Sequence, residues 1–219
     1  MIITIDGPAG SGKSTVANIL AEKLGFIHFN SGSLFRGVTA FLHDINFNIE
    51  SIEVNSTIPN FDLDVKIIDE IQHVFVNNKD YTPMLRNNEI STLVAFVALN
   101  KCVRSIIDAC QRKFCKENNI VVEGRDLGSF VFPDAEVKFY LDCSVEERAR
   151  RRFLEEQAKK SNVTLEAIKN QIIERDFMDK TREIAPLVVP NDAIIIDSSD
   201  LSIEEVVETM LENINSKQL

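Results

Sequence analysis

The 219-residue chain is 44% hydrophobic and carries a formal net charge of −10. That apolar content suffices for one domain with a full core and excludes wholesale disorder. The acidic balance excludes a long nucleic acid as an expected partner, since such binders carry a net basic footprint, and the absence of any run of eighteen or more apolar residues excludes a membrane span.

The N-terminal apolar run has no basic segment before it and reads as a strand, Ile2 to Ile5, rather than a signal peptide. A glycine-rich loop follows. From Lys13 the pattern turns helical, with Val16, Ile19, Leu20 and Leu24 on one face and Gly25 as the stop. Phe26 to Phe29 is a second short strand, and Ser33 to His43 a helix. Residues 46–84 change character: "NFNIESIEVNSTIPNFDLDVKIID" and "HVFVNN" alternate as half-exposed antiparallel strands do, with a turn at "NNKD". This segment reads as an insertion. Glu89 to Lys116 reads as one long amphipathic helix, with Ile90, Leu93, Val97, Val103, Ile106, Ile107 and Cys110 on its apolar side.

Further on, "NIVVEGRD" is a strand then a loop and "AEVKFYLDC" a strand. "SVEERARRRFLEEQAKK" is a charged helix capped by Ser144 with Glu147 three residues on. "TLEAIKNQIIERDFMDKTR" is a helix, "AIIIDSS" a buried strand, and "SIEEVVETMLENI" the last helix. Strands alternating with helices predict a parallel sheet wrapped by helices, an α/β fold. The four cysteines (Cys102, Cys110, Cys115, Cys143) lack CxxC spacing and read as half-buried reduced thiols of a cytoplasmic protein. His28, His43 and His73 read as structural.

The loop Gly7-Pro8-Ala9-Gly10-Ser11-Gly12-Lys13-Ser14 fits G-x-x-x-x-G-K-[ST] at the first strand-to-helix junction, with Thr15 directly after it. Glycines let the backbone N–H groups close around phosphate oxygens, and the helix presents its positive end to the anion. Lys13 reaches the β- and γ-phosphates, and the Ser14 hydroxyl is a Mg²⁺ ligand. Nucleoside triphosphate binding follows; the fate of the γ-phosphate does not. Neither "NKCV" nor "NKDY" fits a guanine-reading N-K-x-D, and no apolar strand ending in an acidic pair is obvious. Arginine forks suit phosphate. Arg148 and Arg150, beside Glu146 and Glu147, read as surface residues, whereas Arg125 follows a glycine at a strand's C-terminal end, where open α/β sheets bind ligands.

"NSGSLFR" (30–36), "EGRDLGSFVFPDA" (123–135), "LDCSVEERARRR" (141–152) and "ERDFMDKTREIAPL" (174–187) together resemble the signature segments of bacterial-type cytidylate kinases, in that family's order and over essentially the whole chain. The resemblance implies a three-layer P-loop fold with a central five-stranded parallel sheet, an enlarged NMP-binding insertion and a short lid. It divides one kinase domain into a core (1–36 and 116–219), an NMP-binding region (about 37–115) and a lid (about 153–163). It implies transfer of the γ-phosphoryl of ATP to CMP and dCMP with Mg²⁺, in pyrimidine nucleotide metabolism, by a cytoplasmic monomer. Ser31, Arg104 and Asp126 would hold the cytosine edge. Arg36, Arg125 and Arg182 would bind the acceptor phosphate, with Arg175 and Asp179 near its sugar and the reacting phosphates. Arg151 and Arg152 would face ATP. Lys13, Arg125, Asp126, Arg152 and Arg182 would form the catalytic set. The chain departs from the family pattern at Asn30 and Phe35 in place of Asp and Tyr, at Glu123 in place of Asp, and at Ala95 where a sugar-contacting serine can stand. Two other readings stay open: a P-loop kinase acting on UMP or a non-nucleotide acid, and a nucleotide-gated binding protein.

Overall fold

The computed structural model describes residues 1–158 and 163–217. Two compact units divide the chain: residues 1–28 with 119–219, and residues 29–118.

The first unit is built on a five-stranded parallel sheet in the order β2-β6-β1-β7-β8. Its strands are β1 (Ile2–Asp6), β2 (Ile27–Asn30), β6 (Ile120–Gly124), β7 (Val137–Asp142) and β8 (Ile194–Asp197). The central strand β1 aligns Ile5 with Glu123 of β6 on one side and with Phe139 of β7 on the other, so the strand ends carrying Asp6, Glu123 and Gly124 lie side by side. Strand β1 is apolar because it is covered on both faces. Ile3, Ile5, Val16, Leu20, Phe139, Leu141 and Met210 are buried in one core cluster. Helix α1 (Lys13–Leu24) and helix α7 (Ile203–Lys217) cover the face that carries Ile3 and Ile5, while Asp6 on the other face meets Leu127 and Gly128. Strand β8 differs from expectation. It is the outermost strand beside β7, and Ile195 is 62% exposed, so the apolar "AIIID" run is an edge strand and not a buried one.

Helix α5 (Val145–Ala158) starts with the expected cap, the Ser144 hydroxyl accepting from Glu147 N–H at 3.3 Å. Its Ala149 packs with Ile168 and Ile172 of helix α6 (Leu165–Thr181). Of the expected lid, residues 153–158 continue α5, and 159–162 lie outside the described residues.

The second unit holds helix α2 (Ser31–Asp44), a three-stranded antiparallel sheet of β3 (Leu63–Ile68), β4 (Ile71–Val76) and β5 (Lys79–Asp80), and helices α3 (Asn88–Val97) and α4 (Lys101–Cys115). The antiparallel pattern of the insertion is present, but only from residue 63. Residues 46–62 carry one 3₁₀ turn, Ile49–Ser51, and no strand. Asn77 and Asn78 both take left-handed backbone, the conformation of a tight two-residue hairpin turn, and this closes β4 onto β5.

The single long helix expected over 89–116 is two helices, bent by 105°. The break is made by Asn100. Its Oδ1 accepts from the N–H groups of Cys102 and Val103, capping α4, while its Nδ2 donates to the carbonyls of Glu53 and Ser56. Among the described residues no single helix is long and apolar enough to cross a membrane. The cysteines are free thiols; burial pushes Cys110 up to about 11 and Cys115 to about 12, which makes both poor nucleophiles.

Candidate active site

In the first unit the site grows from the junction of β1 and α1. A Cβ on Gly7 would run into the Leu141 carbonyl, so only glycine lets the loop leave the sheet here. Gly12 takes a left-handed φ of 91° as the residue capping α1, and the loop then delivers Lys13 and Ser14 to the helix start. The Lys13 ammonium is buried and donates to Pro8 O at 2.6 Å and Ser11 Oγ at 3.2 Å. Burial, reinforced by Arg125, drives its pKa well below the ordinary lysine value against the pull of Glu123, Asp6 and Asp179.

Two acids to which the sequence reading gave no role in the site stand beside this loop. Asp6 ends β1, fully buried. Its carboxylate accepts from Leu127 N–H at 2.9 Å and Gly128 N–H at 2.7 Å. Burial raises its pKa to about 6, opposed by those two N–H groups and Lys13 and assisted by Asp126. Glu123 ends the apolar "IVV" run of β6. It stands 3.7 Å from His28 Nε2, with the Ser14 hydroxyl close enough to favour its charge. Burial works against its charge, but His28, Lys13 and Ser14 outweigh burial and hold the carboxyl below its usual range. An apolar strand ending in an acid was legible at 120–123. A single acid, not an acidic pair, closes the strand. Among the described residues no cluster of three or more metal-ligating side chains occurs. The Ser14 hydroxyl and the ionised Glu123 carboxylate are nonetheless hard oxygen donors joined at a phosphate loop, a donor set that suits Mg²⁺ with most of its waters retained.

The loop after β6 gathers the arginines. Asp179, on α6, is buried and anchors three of them: Arg125 Nε at 3.3 Å, Arg175 Nε at 3.1 Å and Arg182 Nη1 at 3.6 Å. Burial alone would raise the Asp179 pKa; the three guanidiniums instead lower it. Arg182 also meets Asp126 at 3.3 Å and donates to Ala185 O at 2.7 Å. Three guanidiniums therefore share two carboxylates, leaving positive charge for an anion. The structure thus brings together Arg125, Asp126, Arg175, Asp179 and Arg182.

The remaining arginines of α5 separate. Arg148 is not a surface residue. It is 3% exposed and donates to Cys143 O at 2.9 Å, to Ala9 O of the phosphate loop at 3.0 Å and to Asp176 Oδ2 at 2.7 Å. Its sequence neighbours Glu146 and Glu147 point elsewhere, toward Lys169 and toward Arg150 and Arg151. Arg150 is exposed on Glu147, as expected. Arg151 bonds Ser198 O at 2.6 Å and lies against Gly12, within reach of the loop. Arg152 is engaged outward, with Glu155 and Glu156 at 3.1 and 3.3 Å.

In the second unit, Ser31 opens α2 and is buried. Arg36, one turn on, donates to Asn30 Oδ1 at 3.2 Å and Ser33 Oγ at 3.3 Å. Arg104 is buried on α4. Its Nε donates to Ala98 O at 2.7 Å, and its guanidinium carbon stands 5.3 Å from the centre of the Phe35 ring. The bend between α3 and α4 is what frees the Ala98 carbonyl for this bond.

A parallel sheet, a glycine loop feeding a helix, and a buried lysine with arginines at the strand ends define a small P-loop kinase. Comparison with known structures agrees on the fold. Shikimate kinase from Bacteroides thetaiotaomicron is 12% identical with a TM-score of 0.54, covering 98% of both chains. Shikimate kinase from Acinetobacter baumannii is 15% identical with a TM-score of 0.50, covering all of this chain and 94% of that one. The cytidylate kinase family model matches residues 3–216. A cytidylate kinase of Carboxydothermus hydrogenoformans is 43% identical over 99% of this chain and 98% of its own length. One of Caldicellulosiruptor saccharolyticus is 42% identical over 96% and 93%. The chain belongs to the cytidylate kinase family and is a nucleoside monophosphate kinase.

Proposed function

We propose that the enzyme transfers the γ-phosphoryl group of ATP to CMP and dCMP, giving ADP with CDP or dCDP, as a cytoplasmic monomer of pyrimidine nucleotide metabolism. The observation that carries the acceptor assignment is the buried Asp126 carboxylate, held by Arg182 on the loop directly after Arg125. A carboxylate accepts from the N4 amino group of cytosine and meets uracil O4 acceptor to acceptor. Ser31 and Arg104 carry the rest of the cytosine edge, the arginine donating to O2 and N3. Arg36, Arg125 and Arg182 hold the acceptor phosphate, and Arg175 and Asp179 its sugar side. The loop 7–15 and Arg151 hold ATP, joined by Arg152 once it exchanges Glu155 and Glu156 for phosphate. Ala95, buried on α3, offers the sugar no hydroxyl.

Ser14, with Glu123 behind it, would hold Mg²⁺, which when bound neutralises phosphate charge and orients the triphosphate. The protein's own residues do the rest. A phosphate oxygen of the acceptor attacks the γ-phosphorus in line and ADP leaves; that oxygen is already ionised, so no strong base is required. The transition state asks for positioning and charge. Lys13 answers both. Burial depresses its pKa, and the triphosphate's negative charge restores the ammonium where it is needed. The arginines on Asp179 are fixed before substrate arrives, so little reorganisation remains.

The test is an acceptor panel of CMP, dCMP, UMP, AMP and GMP with ATP and Mg²⁺, following ADP. Turnover confined to CMP and dCMP is the expected result. Fastest turnover on UMP, or on none of the five, overturns the acceptor assignment, and ADP release independent of acceptor favours a nucleotide-gated binder.

A further inference from the structure

Helix α2 begins at a peptide that a second element of the same unit grips by both its polar ends. Asn30 ends β2 and caps α2, with φ −98° and ψ 101°. Its N–H donates to Gln72 Oε1 at 2.7 Å, and Gln72 Nε2 donates back to its C=O at 3.1 Å. The amide orientation is settled by the partners: a backbone N–H only donates and a carbonyl only accepts. Gln72 thus exchanges both backbone bonds with Asn30, as the facing residue of an antiparallel strand would. It does so with a side chain, from β4, where its own backbone stands opposite Ile67 of β3.

The two bonds fix the peptide planes on either side of Asn30. From that backbone the Asn30 side chain reaches into the first turns of α2. Its Oδ1 accepts from Ser33 N–H at 2.9 Å, which starts α2, and from Arg36 Nη2 at 3.2 Å. Ser31 follows directly. One glutamine of the inserted sheet therefore sets the place of two residues assigned above to the acceptor.

We propose that Gln72 is a positioning residue for the acceptor nucleotide: through the Asn30 backbone, the inserted antiparallel sheet holds Ser31 and Arg36 in register for the nucleoside monophosphate. This rests on the acceptor assignment of the preceding section. It gives the insertion a task, because β3, β4 and β5 carry the clamp and need not touch the nucleotide. Small displacements of binding groups cost large factors in productive binding. The effect belongs to the acceptor alone, since the loop that holds ATP lies in the other unit.

Gln72→Met keeps the length and bulk of the side chain and removes both bonds. Gln72→Glu keeps the acceptor for Asn30 N–H and sets a carboxylate oxygen against Asn30 O. Steady-state kinetics with CMP and ATP varied separately, CMP affinity by calorimetry and a thermal melt read the outcome. For Gln72→Met the KM and Kd for CMP should rise about fivefold to thirtyfold, the scale of two lost hydrogen bonds on a preorganised site. The KM for ATP should stay within about twofold, and kcat at saturating CMP should fall less than kcat/KM. Gln72→Glu should show at least as large a rise. If the unmodified enzyme phosphorylates CMP but both variants keep its CMP KM, the positioning role is wrong while the acceptor assignment stands. Equal rises for ATP and CMP, or unfolding of both variants, assign Gln72 to general stability and overturn the proposal. An unmodified enzyme inert toward CMP overturns both.

Discussion

Asp126 and Arg148 illustrate how much a single side chain's surroundings decide. Asp126 is an acceptor held in place by a cation, Arg182, at 3.3 Å. Asp126→Asn replaces one acceptor oxygen by a donor, which uracil O4 can use. Discrimination between CMP and UMP should shrink by ~1–3 kcal/mol in kcat/KM, the scale of one good base-edge contact. An unchanged ratio with CMP activity retained would remove Asp126 from base reading. Arg148 belongs to stability. It ties the phosphate loop at Ala9 O to Asp176 on α6. Arg148→Ala leaves that carboxylate buried without its cation and should cost ~3–5 kcal/mol of unfolding free energy in urea melts. Adding Asp176→Ala should recover part of the loss, and a cost below about 1 kcal/mol for the single variant would contradict the burial argument. The difference in legibility between these residues has a physical origin. Arg125, Asp126, Arg175, Asp179 and Arg182 sit in short segments whose spacing marks them. Arg148 was masked by Glu146 and Glu147, adjacent in sequence but turned to other partners by the helix. Asp6 looked like the polar end of a strand, and only the fold brings Leu127 and Gly128 to it.

At the scale of elements, the parallel sheet, its helices and the phosphate loop were readable because each follows from a local period or a turn. The break between α3 and α4 was not. Apolar residues recur at helical spacing on both sides of residues 98–100, so periodicity runs through the bend. The signal that was present is Asn100, a good capping residue inside the pattern. What decides for a cap is tertiary: the Glu53 and Ser56 carbonyls take the Asn100 amide, and these come from the irregular stretch before β3. Asn100→Ala removes the cap and leaves those two carbonyls without this donor. The expected loss is ~2–4 kcal/mol, the sum of a cap and buried acceptors left unmade. Asn100→Asp keeps the cap and loses the donors, so it should fall between the two. If Asn100→Ala and Asn100→Asp melt together, the loop contacts carry the whole effect and the cap none. The bend also frees Ala98 O for Arg104, so Asn100→Ala should weaken CMP binding as well as stability. The edge position of β8 was invisible for a related reason: β-branched runs look alike whether a strand has one neighbour or two.

Over the whole molecule, a surplus of acid at the surface encloses a charged interior. The chain carries −10 overall, yet Lys13, Arg104, Arg148 and Arg182 are buried. Among the buried acids two signs of shift occur. Glu123 and Asp179 are held below their ordinary range, by His28 and Lys13 and by three arginines respectively, against the effect of burial. Each therefore contributes stability at neutral pH that is lost only as pH falls below the ordinary carboxylate range. Asp6 runs the other way. Its pKa rises from 3.8 to about 6 because burial outweighs the two N–H bonds it accepts. Between those values the folded state keeps a proton that the unfolded chain has released, so stability rises as pH falls through that window. The full difference is ~3 kcal/mol, two units at about 1.4 kcal/mol each, with ~1 kcal/mol of it appearing between pH 7 and 5. Asp6 by itself thus adds stability as pH falls toward 5, while Lys13, with its lowered pKa, works the other way. Asp6→Asn cannot ionise, and it keeps a carbonyl for only one of the two N–H groups. Urea unfolding of both proteins at pH 7 and pH 5 reads Asp6 together with its charge partners Lys13 and Asp126, the remaining titrating groups being common to the pair. The unmodified enzyme should gain ~1 kcal/mol on Asp6→Asn over that interval. Parallel pH profiles for the two proteins would mean that Asp6 is already neutral, or still ionised, throughout, and that burial does not set its charge.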